Sequence, residues 1–341
     1  MTTAAAAPPV RREAHEPPEA RGLARDAVRM LVASRTAGLA HARAHDLPDY
    51  LRAGDVLVVN TSATLPAALP VRRADGTPLR LHLSTPCGER GRWVVELREG
   101  GERFAGGRAG ERLALPGGAS ATLLAPYLSG ARLWLAAIDT GRRALLEYLA
   151  EHGAPIRYGY VEREWPLAAY QTIFATQPGS AEMPSAGRPF TPELVTALVT
   201  RAIAVAPVTL HTGVSSQETG EPPYPERYAV PPPTARLVNA ARAGGGRVVA
   251  VGTTVVRALE TVATDGGTIA AGAGWTRHVV TPQTGVRAVD GLLTGWHEPA
   301  ATHLLMLEAV GGRALVELSY ALALRDRYLW HEFGDVHLIV P

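Results

Sequence analysis

Between residues 63 and 127 the chain breaks into short apolar runs, such as 79–83 and 93–97, set apart about every ten residues by Gly- and Pro-rich turns. Segments this short and this evenly spaced predict β-strands closing into a small barrel or sandwich. The sequence on either side has another rhythm. Gly54-Asp55 leads into the apolar strand Val56-Leu-Val-Val and Asn60. Beyond Thr140 helices return, the first over 142–152 with Leu145, Leu146 and Leu149 on one face, ended by Gly153 and Pro155. Thr191 and Pro192 then predict a helix start, with the helix running to 203, and 207–210 reads as a strand. A helix from a Thr234 cap stops at Gly244-Gly-Gly246, and 247–251 is a strand. The next helix buries Val255, Leu259 and Val262; helices over 300–310 and 313–325 precede a last strand, 336–340. The expected fold is therefore a mixed-sheet α/β main domain (23–62 plus 140–341) with a small β-barrel (63–139) inserted in it. Residues 1–22, rich in Ala, Pro, Arg and Glu, read as a disordered lead-in without the apolar block of a signal peptide.

Composition narrows the chemistry. The 34 Lys and Arg residues of this 341-residue chain are all arginines. A lysine-dependent phosphate loop, a Schiff-base lysine and a lysine general base are thereby excluded. Every permanent cation is a guanidinium, which forks and stacks but keeps its proton. A net charge of +2 gives no global basic field, so nucleic-acid binding would need a local arginine patch. Cys87 stands alone, excluding an internal disulfide and multi-cysteine metal sites and pointing to a reducing cytoplasm. The longest charge-free stretch, 113–131, is interrupted by Pro116, Gly117, Gly118 and Pro126, so no membrane span is expected.

The sharpest local feature is Val251-Gly-Thr-Thr-Val-Val-Arg-Ala-Leu-Glu260. A buried strand ends at Gly252 and a helix begins at once. That junction is the usual ligand crevice of α/β folds, where free N–H groups and the helix dipole favour anions. Thr253 or Thr254 would cap the helix and reach a ligand. His211, just past a strand end, and His297, before a helix and beside an acid, are acid/base candidates near neutral pH. His331-Glu332 and Asp335-x-His337 lack H-E-x-x-H spacing, and strand alternation would scatter them, so no metal is expected.

Taken in order, these segments resemble the S-adenosylmethionine:tRNA ribosyltransferase-isomerase family of the queuosine pathway. The resemblance rests on Gly54-Asp-Val-Leu-Val-Val-Asn60, Tyr170-Gln-Thr-Ile-Phe-Ala175, Pro184-Ser-Ala-Gly187 with Phe190-Thr191, and Thr209-Leu-His-Thr-Gly213. It continues through Glu226-Arg-Tyr228, Gly246 to Thr254 with Arg257 and Glu260, Asp290-Gly-Leu-Leu-Thr294 with His297, and Gly334-Asp335. The resemblance implies an α/β domain with an inserted barrel. It also implies S-adenosylmethionine as substrate and ribosyl donor: the amine of a 7-aminomethyl-7-deazaguanine base in tRNA attacks, adenine and methionine leave, and the ribose is rebuilt as an epoxycyclopentanediol. A sulfonium acidifies the C5′ protons, so a modest base can begin. The implied acid/base set is His211, Glu226 and His297. Tyr170, Gln171, Thr172, Ser185, Gly187, Phe190, Gly252, Thr253, Thr254, Arg257 and Asp290 would bind substrate.

The chain departs from the family's usual P-T-A-G-L-H-F-T at Arg188-Pro189, and from its H-x-M-H-x-E at Glu221-Pro-Pro-Tyr-Pro-Glu226. The lysine usual near the end of N-F-H-L-P-K-S-T is Ala300, and the arginine usual after the first strand is Ala63. Losing histidines and cations bears on the anionic partner. Three readings follow: tRNA as acceptor, a small-molecule acceptor or S-adenosylmethionine alone, and a non-catalytic nucleoside or RNA binder.

Overall fold

The computed structural model describes residues 13–88, 91–128, 132–214, 223–297 and 303–341. In it a nine-stranded sheet runs in the order Gly272–Thr276, Glu226–Val230, Ala204–His211, Val56–Asn60, Val248–Val251, Gly291–Gly295, Val336–Val340, Arg29–Ser34, Gly38–Arg43. The four strands from Ala204–His211 to Gly291–Gly295 are mutually parallel, and antiparallel partners flank them on both sides. Alternation explains why these strands are apolar throughout. Val56 and Val58 face one hydrophobic layer while Leu57 and Val59 face the other; Val248, Ala250 and Val249, Val251 divide likewise. One layer is roofed by helices that include Pro232–Ala243, Thr253–Val262 and Arg313–Arg325, the other by Pro192–Thr200. Thr191 accepts the Leu194 N–H at 3.1 Å as the expected N-cap, but the helix stops at Thr200 so that Ala204 can enter the sheet.

The inserted domain is a closed barrel, as expected. Six strands pair in a ring: Ala68–Arg72, Pro78–Pro86, Arg92–Glu99, Leu133–Asp139, Ser120–Pro126 and Arg112–Ala114. Alternate residues such as Leu69, Leu81, Val95, Leu113, Leu123 and Ala136 fill it. Bulges between Leu83 and Thr85 and between Leu123 and Ala125 bend the wall.

Two features differ from expectation. The helix Leu145–His152, expected with the main domain, plugs the barrel through Tyr148 and Leu149. Its periodicity marks an apolar face but not the surface that face covers. The lead-in expected over 1–22 is packed from Glu13 onward: Ala14 donates its N–H to the Trp330 carbonyl at 3.1 Å, and Glu19 pairs with Arg188 at 2.8 Å. Its polar residues are ordered by partners distant in sequence. No helix among the described residues is long and apolar enough to cross a membrane.

The amino ends of the parallel strands are braced. The fully buried Asp55 accepts hydrogen bonds from Arg247 N (2.8 Å), Nε (3.0 Å) and Nη2 (2.6 Å) and from Arg52 N (3.0 Å). Gly246 is required there, because a Cβ would stand 2.0 Å from the Gly54 carbonyl oxygen.

Candidate active site

At the opposite end of the sheet the strand termini open into a cleft that faces the barrel. Gly252, Thr253, Thr254, Arg257, Thr294 and His297 line it together with Tyr158 and, from the barrel, Ser84 and Thr85. The turn at Gly252 makes this possible. Its φ of +99° lies where side chains are strained, so the strand Val248–Val251 passes directly into the helix Thr253–Val262. Gly252 itself is the N-cap, with no side-chain cap, so neither threonine caps the helix as expected. Val255 and Val256 return their N–H groups to the Gly252 carbonyl, while Thr253 and Thr254 begin the helix, where N–H groups have no intrahelical acceptor.

One turn on, the buried Arg257 forms an ion pair with Glu226 and donates to the His278 and Tyr224 carbonyls, each at 3.2 Å. The other Glu226 oxygen accepts the Gly213 N–H at 3.2 Å. Burial raises the Glu226 carboxyl above its ordinary range, against the pull of Arg257 and Gly213. His297 stacks on His303 with centroids 4.4 Å apart and planes 8° from parallel. Burial, aided by the neighbouring imidazoles, holds His297 well below its usual pKa, so at pH 7 it is neutral and able to accept a proton.

A second group of polar residues lines the cleft. Tyr158 donates to Glu182, and Tyr160 donates to Glu332 at 2.6 Å. The His331 ring lies on Tyr160, 4.5 Å between centroids. Tyr170 packs on Phe333.

Of the residues proposed from sequence, the cleft gathers Glu226, His297, Tyr170, Ser185, Gly252, Thr253, Thr254 and Arg257. The others lie elsewhere, each for a visible reason. His211 sits behind the cleft: Nδ1 is 2.7 Å from Ser62 Oγ, and Arg227 Nη2 is 3.1 Å from Nε2. A guanidinium only donates, so Nε2 accepts and Nδ1 carries the proton. Burial and the Arg227 charge push this imidazole down to about 4. Gln171 brackets the Thr64 backbone with bonds of 3.0 and 2.8 Å, in the manner of a strand partner. Thr172 Oγ1 accepts from Phe174 N, Phe190 is buried edge-on to Phe174, and Gly187 gives Thr172 room. Asp290 is at the far end of the sheet, accepting from Val248 N at 2.8 Å. Ordered loops around a site carry both kinds of residue, those that face the ligand and those that hold the loop.

His211→Ala is therefore expected to cost about 2–3 kcal/mol of stability through a cavity and an unpaired Ser62. Turnover measured well below the melting temperature should stay within about threefold of wild type, since no bond it makes reaches the cleft. A loss of turnover at unchanged stability would return His211 to the chemistry.

The chain matches the family model described as "Queuosine biosynthesis protein" over residues 8–339. It is 39% identical over 326 residues to the S-adenosylmethionine:tRNA ribosyltransferase-isomerase of Moorella thermoacetica, covering 93% of this chain and 94% of that one. An enzyme of the same name from Thermus thermophilus is 36% identical, with 93% of each chain covered. A crystal structure of S-adenosylmethionine tRNA ribosyltransferase from Thermotoga maritima superposes with a TM-score of 0.53 at 29% identity, covering 96% of both chains. The chain belongs to the S-adenosylmethionine:tRNA ribosyltransferase-isomerase family.

Membership makes it an enzyme of the transferase/isomerase class. One family departure now has a structural account. Arg188 does not reach the cleft; its Nη2 pairs with Glu19 at 2.8 Å and its Nε donates to the Ala169 carbonyl at 3.0 Å, anchoring the lead-in. Glu221, Pro222 and Ala300 lie outside the described residues. Sequence reasoning missed Tyr158, Tyr160, Glu182 and His303, and weighed His331-Glu332 only as metal ligands. Tyr158-Gly-Tyr160 and His331-Glu332 are visible as polar pairs, but nothing in their spacing brings the two segments together.

Proposed function

We propose that the cleft binds S-adenosylmethionine and uses its ribosyl group as donor, releasing adenine and methionine, with the 7-aminomethyl-7-deazaguanine base of tRNA as acceptor. The observation that carries this reading is that a neutral His297 and the Glu226–Arg257 pair line one cleft, with the uncapped first turn at Thr253-Thr254 between strand and helix. Each part has a task. The first turn and Arg257 suit the methionyl carboxylate, since free N–H groups and a guanidinium both donate to an anion. The carboxylates in the cleft suit a sulfonium. A C5′ proton made acidic by that sulfonium passes to the neutral His297 imidazole, which as imidazolium then donates to departing adenine, while Glu226 holds Arg257 in place as its carboxylate partner. The relatives that match 93% of this chain carry a tRNA-directed name, which supports tRNA as the acceptor.

The test is incubation of the protein with S-adenosylmethionine, with and without tRNA bearing the aminomethyl base, following adenine and methionine by mass spectrometry. Release that depends on that tRNA is the expected result. Release without it would replace tRNA by a small-molecule acceptor or by S-adenosylmethionine alone; binding without release would make the protein a non-catalytic binder.

A further inference from the structure

The same cleft holds two further carboxylates that accept hydrogen bonds from phenols. Glu182 accepts from Tyr158, and Glu332 accepts from Tyr160 at 2.6 Å. Between the cleft and Phe333 lies Tyr170, only 3% exposed, whose hydroxyl has no hydrogen-bond partner among the described residues. A buried phenol lacking a partner is costly unless a ligand supplies one. Glu182, Glu332, Tyr158, Tyr160 and Tyr170 all line the same cleft. Carboxylates beside an unpartnered phenol oxygen suit one chemical group, a primary ammonium carried on an alkyl arm: these oxygens take its N–H donors.

We propose that Tyr158, Tyr160, Tyr170, Glu182 and Glu332 form an alkylammonium subsite, in which Glu332 accepts the proton that turns an acceptor's ammonium into a nucleophilic amine. This rests on the ribosyl-transfer reading and specifies how the acceptor is chosen and activated. In the step, one N–H bond breaks, the electron pair stays on nitrogen, and an O–H bond forms on the Glu332 carboxylate. Charge is conserved, and no further reactant enters. Burial pushes the Glu332 carboxyl up to about 7, against the Tyr160 hydrogen bond. The groups facing it are Tyr160, Tyr158, Tyr170, Glu182, His331 and, beyond Phe333, Arg188 with its partner Glu19. Two ammonium groups could enter here, the acceptor's aminomethyl and the methionyl α-ammonium of S-adenosylmethionine.

The test compares wild type with Glu332→Gln and Tyr160→Phe. Binding is measured for S-adenosylmethionine, for tRNA bearing the aminomethyl base, and for tRNA bearing a 7-methyl base that lacks the amine. Expected is a wild-type preference of about tenfold or more for the amine-bearing tRNA, the size of a charged hydrogen bond. Glu332→Gln should abolish that preference and leave the S-adenosylmethionine Kd within about twofold. A preserved preference with an S-adenosylmethionine Kd raised about tenfold would place the donor's ammonium in the subsite and remove Glu332 from acceptor activation. No change in either overturns the subsite. The pH profile reads the proton step: kcat/KM should fall as pH drops below the Glu332 pKa. Tyr160→Phe, which strips a hydrogen bond from the ionised carboxylate, should move that limb to higher pH; an unmoved limb overturns the proton role. Wild-type protein that turns over nothing would sink the ribosyl-transfer reading, while the amine preference would still decide the subsite.

Discussion

Replacing Arg257 by Met is expected to cost about 3–5 kcal/mol of stability, because it leaves the Glu226 carboxylate largely buried without its cation. Adenine release from S-adenosylmethionine should fall by roughly tenfold to a hundredfold with it, the range for losing one charge-assisted contact to a bound anion. The two effects have different origins and a second substitution separates them. Arg257→Met combined with Glu226→Gln removes the orphaned charge, so urea denaturation should show much of the lost stability restored. Activity should not return, since both cleft groups are then gone. A single variant as stable as wild type, or a double variant no more stable than the single, would show that the ion pair holds nothing together.

Asp55→Ala is the second large effect. The carboxylate is fully buried and collects three donors from Arg247 and one from Arg52, fastening two parallel strands at their amino ends. Losing it strands an arginine and two backbone N–H groups, at about 3–5 kcal/mol. The same residue sets a pH dependence. Burial alone would raise its pKa, but the Arg247 and Arg52 hydrogen bonds and the Arg247 charge hold it below the ordinary carboxylate value. A depressed pKa contributes stability that is fully present above the unfolded value, near 3.9, and is lost as pH falls through the folded value. Wild type should therefore lose stability below about pH 4 more steeply than Asp55→Ala. Parallel acid-unfolding curves for the two would dismiss the assignment. Because the brace lies at the end of the sheet away from the cleft, what activity the folded variant retains should keep its wild-type KM.

Much of the architecture was legible from periodicity. The helix Arg313–Arg325 has the expected bounds, and the barrel strands fall where the short apolar runs lie. The lining of the cleft was legible at Gly252-Thr253-Thr254, Arg257, Glu226 and His297, because a strand end meeting a helix start is a local pattern and, in α/β folds, the usual crevice for ligands. His211, Gln171 and Asp290 carry the same residue chemistry and sit in equally regular loops. They turn inward to Arg227, to the Thr64 backbone and to Val248, partners between 16 and 107 residues away in the chain. Sequence spacing does not encode which way a loop side chain turns.

By itself the sequence determined the alternation of strands and helices, the inserted barrel and the absence of lysine chemistry. These follow from local periodicity, turn residues and composition, which need no knowledge of distant contacts. Only the tertiary structure decided that Tyr158, Tyr160 and Glu332 share a cleft with Arg257, that the lead-in is anchored through Glu19 and Arg188, and that His211 stays neutral and behind the cleft. Burial and charge pairing set those properties, and both are created when segments far apart in the chain close over one another.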